Sequence, residues 1–197
     1  MRDAIRLRDA LSRPKGVSSG TSSDFDLNPG ITLPPGRTLR PAAVLVALWG
    51  DRLILTKRAS HLKHHPGQIA FPGGKLDPTD ASLEAAALRE AREEIGLPER
   101  LVEIWGRLPA HETVTGFTVT PVLARITADF TPLPEAGEVE EVFTVPLAHV
   151  LNPARFVIEK RRWRGEWRRF YAVPYGPYYI WGATARILRG LAERVAP

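Results

Sequence analysis

The chain has 197 residues, of which 44% are hydrophobic, and this is enough for one domain with a core of ordinary size. It contains no cysteine, which excludes disulfide scaffolds, cysteine nucleophiles and thiolate metal sites, so any bound metal must use oxygen or imidazole ligands. The formal net charge of +5 suits an anionic partner but does not identify it.

The sequence predicts neither a membrane span nor a secretory signal. The longest apolar run, Ala42 to Trp49, is far shorter than the roughly 20 residues that cross a bilayer. The segment from Met1 to Arg6 mixes charges of both signs and lacks the apolar stretch of a signal peptide. We therefore expect a cytoplasmic protein without a membrane partner.

The N-terminal part differs in composition from the rest. Residues 2–11 are predicted to form a short helix, and the Ser/Gly/Pro-rich stretch from Ser12 to Gly36 is interpreted as a tether. The pattern changes at Pro41, where apolar residues begin to dominate. We accordingly divide the chain into an N-terminal helix and extension, residues 1–40, and a main domain, residues 41–197.

The main domain is predicted to open with a β-hairpin and to continue into a long helix. Apolar residues 43–48 and 53–55 flank Gly50 and Asp51, a pattern typical of two strands joined by a tight turn. A loop rich in glycine and proline then precedes the helix, predicted from Asp80 to Ile95, with Thr79 or Asp80 as its N-cap. Its apolar residues recur every four positions and should face the sheet.

The remaining elements are mostly strands. They are predicted near residues 101–108, 117–126, 139–145, 154–160 and 167–173, with Gly165 at a hairpin turn, before a final helix over about 180–194. Mainly antiparallel strands with flanking helices indicate the α/β (α+β) class, in a sandwich architecture.

The long helix carries three carboxylates that suit a metal ion. Glu90, Glu93 and Glu94 are spaced by three and four residues, so they project on one side of the helix. Their mutual repulsion would be relieved by a divalent cation, and carboxylates without thiols favour Mg²⁺ or Mn²⁺. For a Glu-rich helix alone, the alternative is a solvated face held by salt bridges.

The loop before the helix favours the metal site over the solvated helix face. Residues 71–75 read Phe-Pro-Gly-Gly-Lys, and residues 89–97 read Arg-Glu-Ala-Arg-Glu-Glu-Ile-Gly-Leu. Together they resemble the Nudix box. The resemblance implies an α/β/α sandwich with a mixed, mainly antiparallel sheet, and metal-dependent hydrolysis of a nucleoside diphosphate linkage. It also implies that Glu90, Glu93 and Glu94 bind metal, with the Gly74 carbonyl as a further ligand.

Two further features are similar to the coenzyme A pyrophosphatase branch of the Nudix family. The spacing from Gly74 to Arg89 is one residue longer than in the general box, and Asp77 and Asp80 are the substitutes for its loop glutamate. Upstream, residues 55–59 read Leu-Thr-Lys-Arg-Ala and are followed by a glycine at the interval that this branch shows. The resemblance implies hydrolysis of coenzyme A or its thioesters to adenosine 3′,5′-bisphosphate and (acyl) phosphopantetheine.

The same resemblance suggests roles for individual residues. Glu93 is the first choice for the general base, and Arg89 can hold it from one turn away, so we take these two as the catalytic residues. Glu138, Glu140 and Glu141 stay open as alternative bases on a later loop. Phosphate contacts are expected from Arg58 and Lys63, by their signature positions, and from Lys75, next to the glycine loop; Lys63 stands where the branch has arginine.

Other functions remain open at this stage. The enzyme could cleave another nucleoside diphosphate derivative, or the chain could be a nucleotide- or RNA-binding module that uses the cations and aromatics of Lys160 to Arg169. We interpret that segment as a solvated β-hairpin and do not expect nucleic acid as the partner. The expected partner is the small-molecule substrate, and a homodimer stays open as the assembly.

Overall fold

The computed structural model of the protein describes residues 2–12, 20–31, 36–163 and 165–196. Its α-helices are α1 (Arg2–Ser12), α2 (Leu83–Ile95), α3 (Leu147–Val150) and α4 (Gly182–Val195). Its strands are β1 (Ser22–Ser23), β2 (Arg40–Trp49), β3 (Arg52–Arg58), β4 (Ile69–Ala70), β5 (Gly73–Lys75), β6 (Val102–Arg107), β7 (His111–Glu112), β8 (Phe117–Ile126), β9 (Val139–Pro146), β10 (Val157–Trp163) and β11 (Glu166–Ala172). None of the helices in these ranges is long and apolar enough to cross a membrane.

A mixed sheet forms the centre of the molecule. Strand β2 runs parallel to β8 along its whole length, and it pairs antiparallel with β3 and β5 at its two ends. The sheet is extended by antiparallel pairs of β3 with β4 and β9, and of β8 with β6 and β7. Most neighbours are therefore antiparallel, as the sequence predicted.

Each face of the sheet is covered by helix, because side chains alternate along β2. Ala43, Leu45 and Ala47 are buried on the face that packs against α2. Val46 and Leu48 are buried on the opposite face, in a core shared with α4, and α1 packs on α4 from outside. This confirms the predicted α/β/α sandwich.

Helix α2 begins later than the sequence predicted. Its N-cap is Ser82, whose hydroxyl accepts a hydrogen bond from the Ala85 N–H at 3.1 Å, so the prediction of Thr79 or Asp80 was wrong. The physical reason is that the Asp80 carboxylate is bound by the Arg89 guanidinium instead. The helix ends as expected at Gly96, which adopts a left-handed conformation with φ 68°.

The C-terminal strands form a separate two-stranded hairpin. Strands β10 and β11 pair antiparallel, and the turn contains Gly165 with φ 88°, as predicted. Strand β10 starts three residues later than expected. Arg164, a member of the basic segment considered for nucleic acid, lies outside the described residues.

Residues 20–31, called the N-terminal strap from here on, are held against the domain. Ser22 and Ser23 pair in parallel with β7, and Asn28 exchanges two hydrogen bonds with the backbone of Arg169 in β11, at 2.8 and 2.9 Å. The interpretation of this part as a tether was therefore wrong. Residues 13–19 and 32–35, which belong to the same predicted tether, lie outside the described residues.

Candidate active site

The glycine loop lies directly on two carboxylates of α2. Strand β5 pairs with β2 at the start of the central sheet, which brings the loop over the helix. The N–H of Gly73 donates a hydrogen bond to Glu94 Oε2 at 3.3 Å, and a methyl group added to Gly74 would collide with the Glu90 carboxylate. Gly74 is thus required for this close approach, and Gly73 is required because a methyl group there would collide with Ala43 and Val44 of β2.

These two carboxylates are in an environment that disfavours their negative charge. Burial raises the pKa of Glu94 to about 8, and the charge of Glu90 adds to the effect, while the Gly73 N–H opposes it. Burial also raises the pKa of Glu90, and Arg89 opposes that rise. A cation placed between the loop and the helix would stabilise both carboxylates in their charged form.

Arg89 joins the loop to the helix. Its guanidinium donates to both oxygens of Asp80, at 3.0 and 2.9 Å, and to the Lys75 carbonyl at 3.1 Å. It also donates to Glu90 Oε1 and Glu93 Oε2, each at 3.0 Å, so the expected contact between Arg89 and Glu93 is present. Of the two acids considered for the loop, Asp80 makes the bidentate contact.

The three carboxylates are not gathered at one point. Glu90 and Glu94 lie against the loop, whereas the Glu93 side chain is 51% exposed and bound to Arg89. Across the ranges that the structure describes, no group of three or more His, Asp or Glu side chains forms a ready-made metal site. The donor chemistry nonetheless fits a hard divalent cation, because a buried and a partly buried carboxylate, both with raised pKa, lie against the glycine loop.

Among the predicted phosphate contacts, Arg58 is the residue whose charge affects the pKa of Glu94. A β-bulge separates Lys57 from Arg58 in the pairing of β3 with β9, and the charge of Arg58 acts to lower the pKa of Glu94. Its Nε is buried and has no hydrogen-bond partner within the described part of the chain. Such a donor suits a ligand oxygen.

The other two basic candidates are less confined. Lys63 is exposed on the loop after β3. Lys75 is also exposed, and its backbone carbonyl, not its ammonium group, makes the contact with Arg89. Whether either of them touches substrate stays a prediction.

The structure distinguishes the three acidic alternatives for the general base, Glu138, Glu140 and Glu141, by their contacts. Glu140 accepts hydrogen bonds from Lys57 at 2.5 Å and from the Ser60 hydroxyl, and Glu141 accepts one from the Tyr178 hydroxyl at 2.5 Å. Glu138 instead acts on the pair of carboxylates, since its charge raises the pKa of both Glu90 and Glu94. Glu138 therefore joins Glu93 as a candidate base.

A cleft of about 890 Å³ opens between the end of β3, the loop after it and the C-terminal hairpin. Residues 65–69 form one wall, and the hairpin of β10 and β11 with residues 177–183 forms another. Asp24 of the N-terminal strap and residues 113–115 complete the lining. Tyr179, which is 41% exposed, also lines this cleft. In the sequence, the only sign of this wall was the alternation of cations with aromatics in residues 160–169. The sequence could not show which side of the hairpin meets the cleft, because that depends on tertiary packing.

Comparison with known proteins agrees with this geometry. The family model of the NUDIX domain matches residues 38–165. The chain is 48% identical to a protein of Enterobacter sp. (strain 638) named uncharacterized Nudix hydrolase NudL, over 79% of this chain and 83% of that protein. A protein of the same name from Salmonella paratyphi B is 46% identical over the same shares.

A solved structure matches nearly the whole molecule. The NUDIX domain of Shewanella oneidensis NrtR, which was crystallised with ADP ribose, superposes with a TM-score of 0.50 over 95% of this chain and 97% of that one, at 16% identity. This similarity concerns the fold alone. Together with the family match and the sequence relatives, it leads to one conclusion: the chain belongs to the Nudix hydrolase family.

Proposed function

We propose that this Nudix hydrolase cleaves the diphosphate bond of coenzyme A or its thioesters, and that it does so with Mg²⁺ or Mn²⁺. Nudix hydrolases in general use divalent metal ions to act on small molecules, so the proposal concerns which metal and which substrate. We assign the metal to Glu90, Glu93, Glu94 and the Gly74 carbonyl. Glu93 has to turn away from Arg89 to join this set.

One observation supports the choice of substrate. The segment that resembles the coenzyme A branch, from Leu55 to Gly67, connects the carboxylate pair with the cleft. Arg58 in this segment acts on the charge of Glu94, while Lys57 and residues 65–67 line the cleft. A long substrate could thus place its diphosphate at the glycine loop and extend into a cleft that has the volume of a typical ligand site.

Different residues of the chain then have different roles in hydrolysis. A bound divalent ion would neutralise phosphate charge and lower the pKa of a bound water. Arg58 donates to a phosphate oxygen through the buried Nε, and the glycine loop lets the diphosphate lie close to the backbone. Glu93 accepts the proton of the attacking water in our first assignment, and Glu138 does so in the alternative.

The test is a substrate panel with product identification. Coenzyme A, ADP-ribose, diadenosine polyphosphates and nucleoside triphosphates are incubated with the protein and Mg²⁺ or Mn²⁺, and the products are identified by mass. We expect adenosine 3′,5′-bisphosphate from coenzyme A, and a loss of roughly 100-fold or more in Glu93→Gln. Glu103→Gln, which removes a carboxylate on β6 that pairs only at 3.8 Å, should behave as the unchanged protein.

The outcomes separate the alternatives. If coenzyme A stays intact while another compound is cleaved, the substrate proposal is wrong and another nucleoside diphosphate derivative replaces it. If Glu93→Gln retains full activity and Glu138→Gln loses it, the base belongs on the loop before β9.

A further inference from the structure

The loop after β3 contains a residue with an unusual backbone conformation. His65 has a φ of 55°, and within the described ranges no other residue except glycine has a positive φ. The left-handed region is sterically unfavourable for a residue with a side chain, and a residue before proline, as His65 is, prefers extended backbone. Backbone strain of this kind is concentrated at functional sites, so His65 is a candidate for a role in function.

The surrounding hydrogen bonds fix this conformation. Residues 65–68 form a tight turn, in which the Gln68 N–H donates to the His65 carbonyl at 3.3 Å and Gly67 has a φ of 68°. The Arg58 N–H donates to the Gln68 carbonyl at 3.0 Å, and the Gly67 N–H donates to the Arg58 carbonyl at 3.1 Å, so the turn is fastened to the end of β3. The position of His65 is therefore set relative to Arg58.

The imidazole of His65 lies at the cleft. The residue is exposed and belongs to the cleft lining. In the part of the chain that the structure describes, no protein group forms a hydrogen bond with the ring. Asp24, which also lines the cleft, is bound elsewhere, because its two carboxylate oxygens contact His111 Nε2 at 3.1 Å and the Val114 N–H at 2.8 Å. The ring nitrogens of His65 are therefore available to a ligand.

Arg58 relates His65 to the carboxylates of the glycine loop. The charge of its guanidinium lowers the pKa of Glu94 and also that of His65. Burial is the largest cause of the lowered pKa of His65, Arg58 and then His64 add to it, and Asp24 opposes it. The ring thus has ionisable neighbours on β3, on its own loop and on the strap. A substrate that extends from the glycine loop into the cleft would pass Arg58 and then His65.

We infer that His65 is a substrate-binding residue, whose imidazole donates a hydrogen bond to a phosphate oxygen of the substrate on the cleft side of Arg58. The inference rests on the proposed function only in taking a diphosphate as the substrate. A phosphate beside the ring favours the protonated imidazole, so binding is coupled to proton uptake at His65. The strained backbone is then retained because it places the ring beside the phosphate.

The first experiment separates the imidazole from the backbone conformation. Glycine adopts a positive φ without strain, so His65→Gly should preserve the turn while it removes the ring. With coenzyme A and Mg²⁺ we expect KM to rise about tenfold and kcat to change by less than about threefold. His65→Asn should recover part of this loss, because asparagine tolerates the left-handed region and keeps a hydrogen-bond donor.

The matched control is His61→Gly, because His61 is exposed on the same loop but lies outside the cleft. Its KM should equal that of the unchanged protein. If His65→Gly alters the free energy of unfolding in urea but leaves KM unchanged, His65 has only a structural role and the inference is overturned.

A binding measurement separates failure of this inference from failure of the proposed function. The His65 ring is titrated by NMR without ligand and with ADP-ribose or dephospho-coenzyme A, each time with Ca²⁺ in place of Mg²⁺ to slow hydrolysis. The diphosphates of both ligands keep the same charge throughout the titration, and the His65 signal is assigned by its loss in His65→Gly. We expect ligand binding to raise the pKa of His65, so that affinity increases as the pH falls.

The outcomes are distinct. If coenzyme A is not hydrolysed but either ligand raises the pKa of His65, the substrate proposal is wrong and the role of His65 stands. If coenzyme A is hydrolysed but neither ligand raises this pKa, the inference is overturned and the proposed function stands.

Discussion

The contacts of Arg89 show how one side chain organises the candidate site. Its guanidinium reaches from the helix to Asp80 and the Lys75 carbonyl in the loop, and its side chain is only 19% exposed. The same group holds Glu90 and Glu93. Asp80 is therefore a positioning residue, because it acts on the carboxylates only through Arg89.

This arrangement predicts the effect of removing one charge. Asp80→Asn should weaken the bidentate contact, loosen Arg89, and raise the Mg²⁺ concentration for half-maximal activity by about 10 to 100-fold. Activity measured across a Mg²⁺ titration gives this value. The control is Asp77→Asn, since Asp77 is 3.7 Å from Arg89 and 55% exposed, and its titration should match that of the unchanged protein. An equal shift in both variants would show that loop charge, not the contact with Arg89, is what matters.

The sequence predicted these residues better than it predicted their orientation. Helical spacing brings Glu90, Glu93 and Glu94 to one side of α2, but Arg89 draws Glu93 outward and burial separates it from the other two. Rotamer and salt-bridge choices of this kind depend on neighbours in space. The metal set, the catalytic roles of Glu93 and Arg89, and the substrate contacts stay predictions until the experiments above are done.

Between elements, an ion pair fastens α2 to the sheet. Glu84 in the first turn of the helix accepts hydrogen bonds from Arg107 at the end of β6, at 2.5 and 2.6 Å. The Arg107 guanidinium lowers the pKa of Glu84 to about 2. The contribution of this ion pair to the stability of the fold is therefore complete above pH 4.5, the ordinary pKa of a glutamate, and is lost as the pH falls towards 2.

Urea unfolding at several pH values tests this contact. Glu84→Gln should lower the free energy of unfolding by about 1 kcal/mol or less at pH 7, because the pair is partly exposed. The difference from the unchanged protein should shrink between pH 4.5 and pH 2. Glu103→Gln removes the more exposed pair with Arg125 and should show no such pH dependence. A difference that stays constant down to pH 2 would mean that packing, not charge, holds the helix.

At this scale the sequence predicted the long elements well. Strands β2, β3, β8 and β9 and helices α2 and α4 carry a clear apolar period, so their existence follows from local pattern. The two- and three-residue strands β1, β4, β5 and β7 were missed, because strands of this length are too short to show an alternating apolar pattern. The start of α2 was missed because the Asp80 carboxylate binds the Arg89 guanidinium and does not cap the N-terminus of the helix.

Across the whole molecule, the N-terminal strap links parts that are far apart in sequence. Asp24 binds His111 at the edge of the sheet, Asn28 binds the backbone of β11, and Asp26 binds Arg186 of α4 at 2.8 Å. The low apolar content of this part made it resemble a tether. Its contacts are mostly polar, so hydrophobic periodicity could not have predicted them.

The strap should therefore restrain the hairpin. Asn28→Ala removes both hydrogen bonds to Arg169, so amide exchange in residues 157–172 should become faster, by about fivefold or more. Hydrogen exchange followed by mass spectrometry measures this. Asn152→Ala is the matched control, because Asn152 caps a short turn before β10 through the Ala154 N–H. Unchanged exchange in Asn28→Ala would show that the hairpin is ordered without the strap.

Several predictions at this scale are untested by the fold. The division at residue 40, the cytoplasmic location and the homodimer stay predictions from the sequence. Sedimentation of the purified protein would decide the last of these.

The packing of α1 against α4 has a consequence for how the protein is made. Leu7 is fully buried, and Arg6 donates a hydrogen bond to the Val195 carbonyl at 3.1 Å. A ribosome must therefore add the residues between these two helices before the first one can find its place. During synthesis α1 therefore has no partner until α4 has been made. The entropy lost in closing the long loop between the two helices then opposes the final stage of folding.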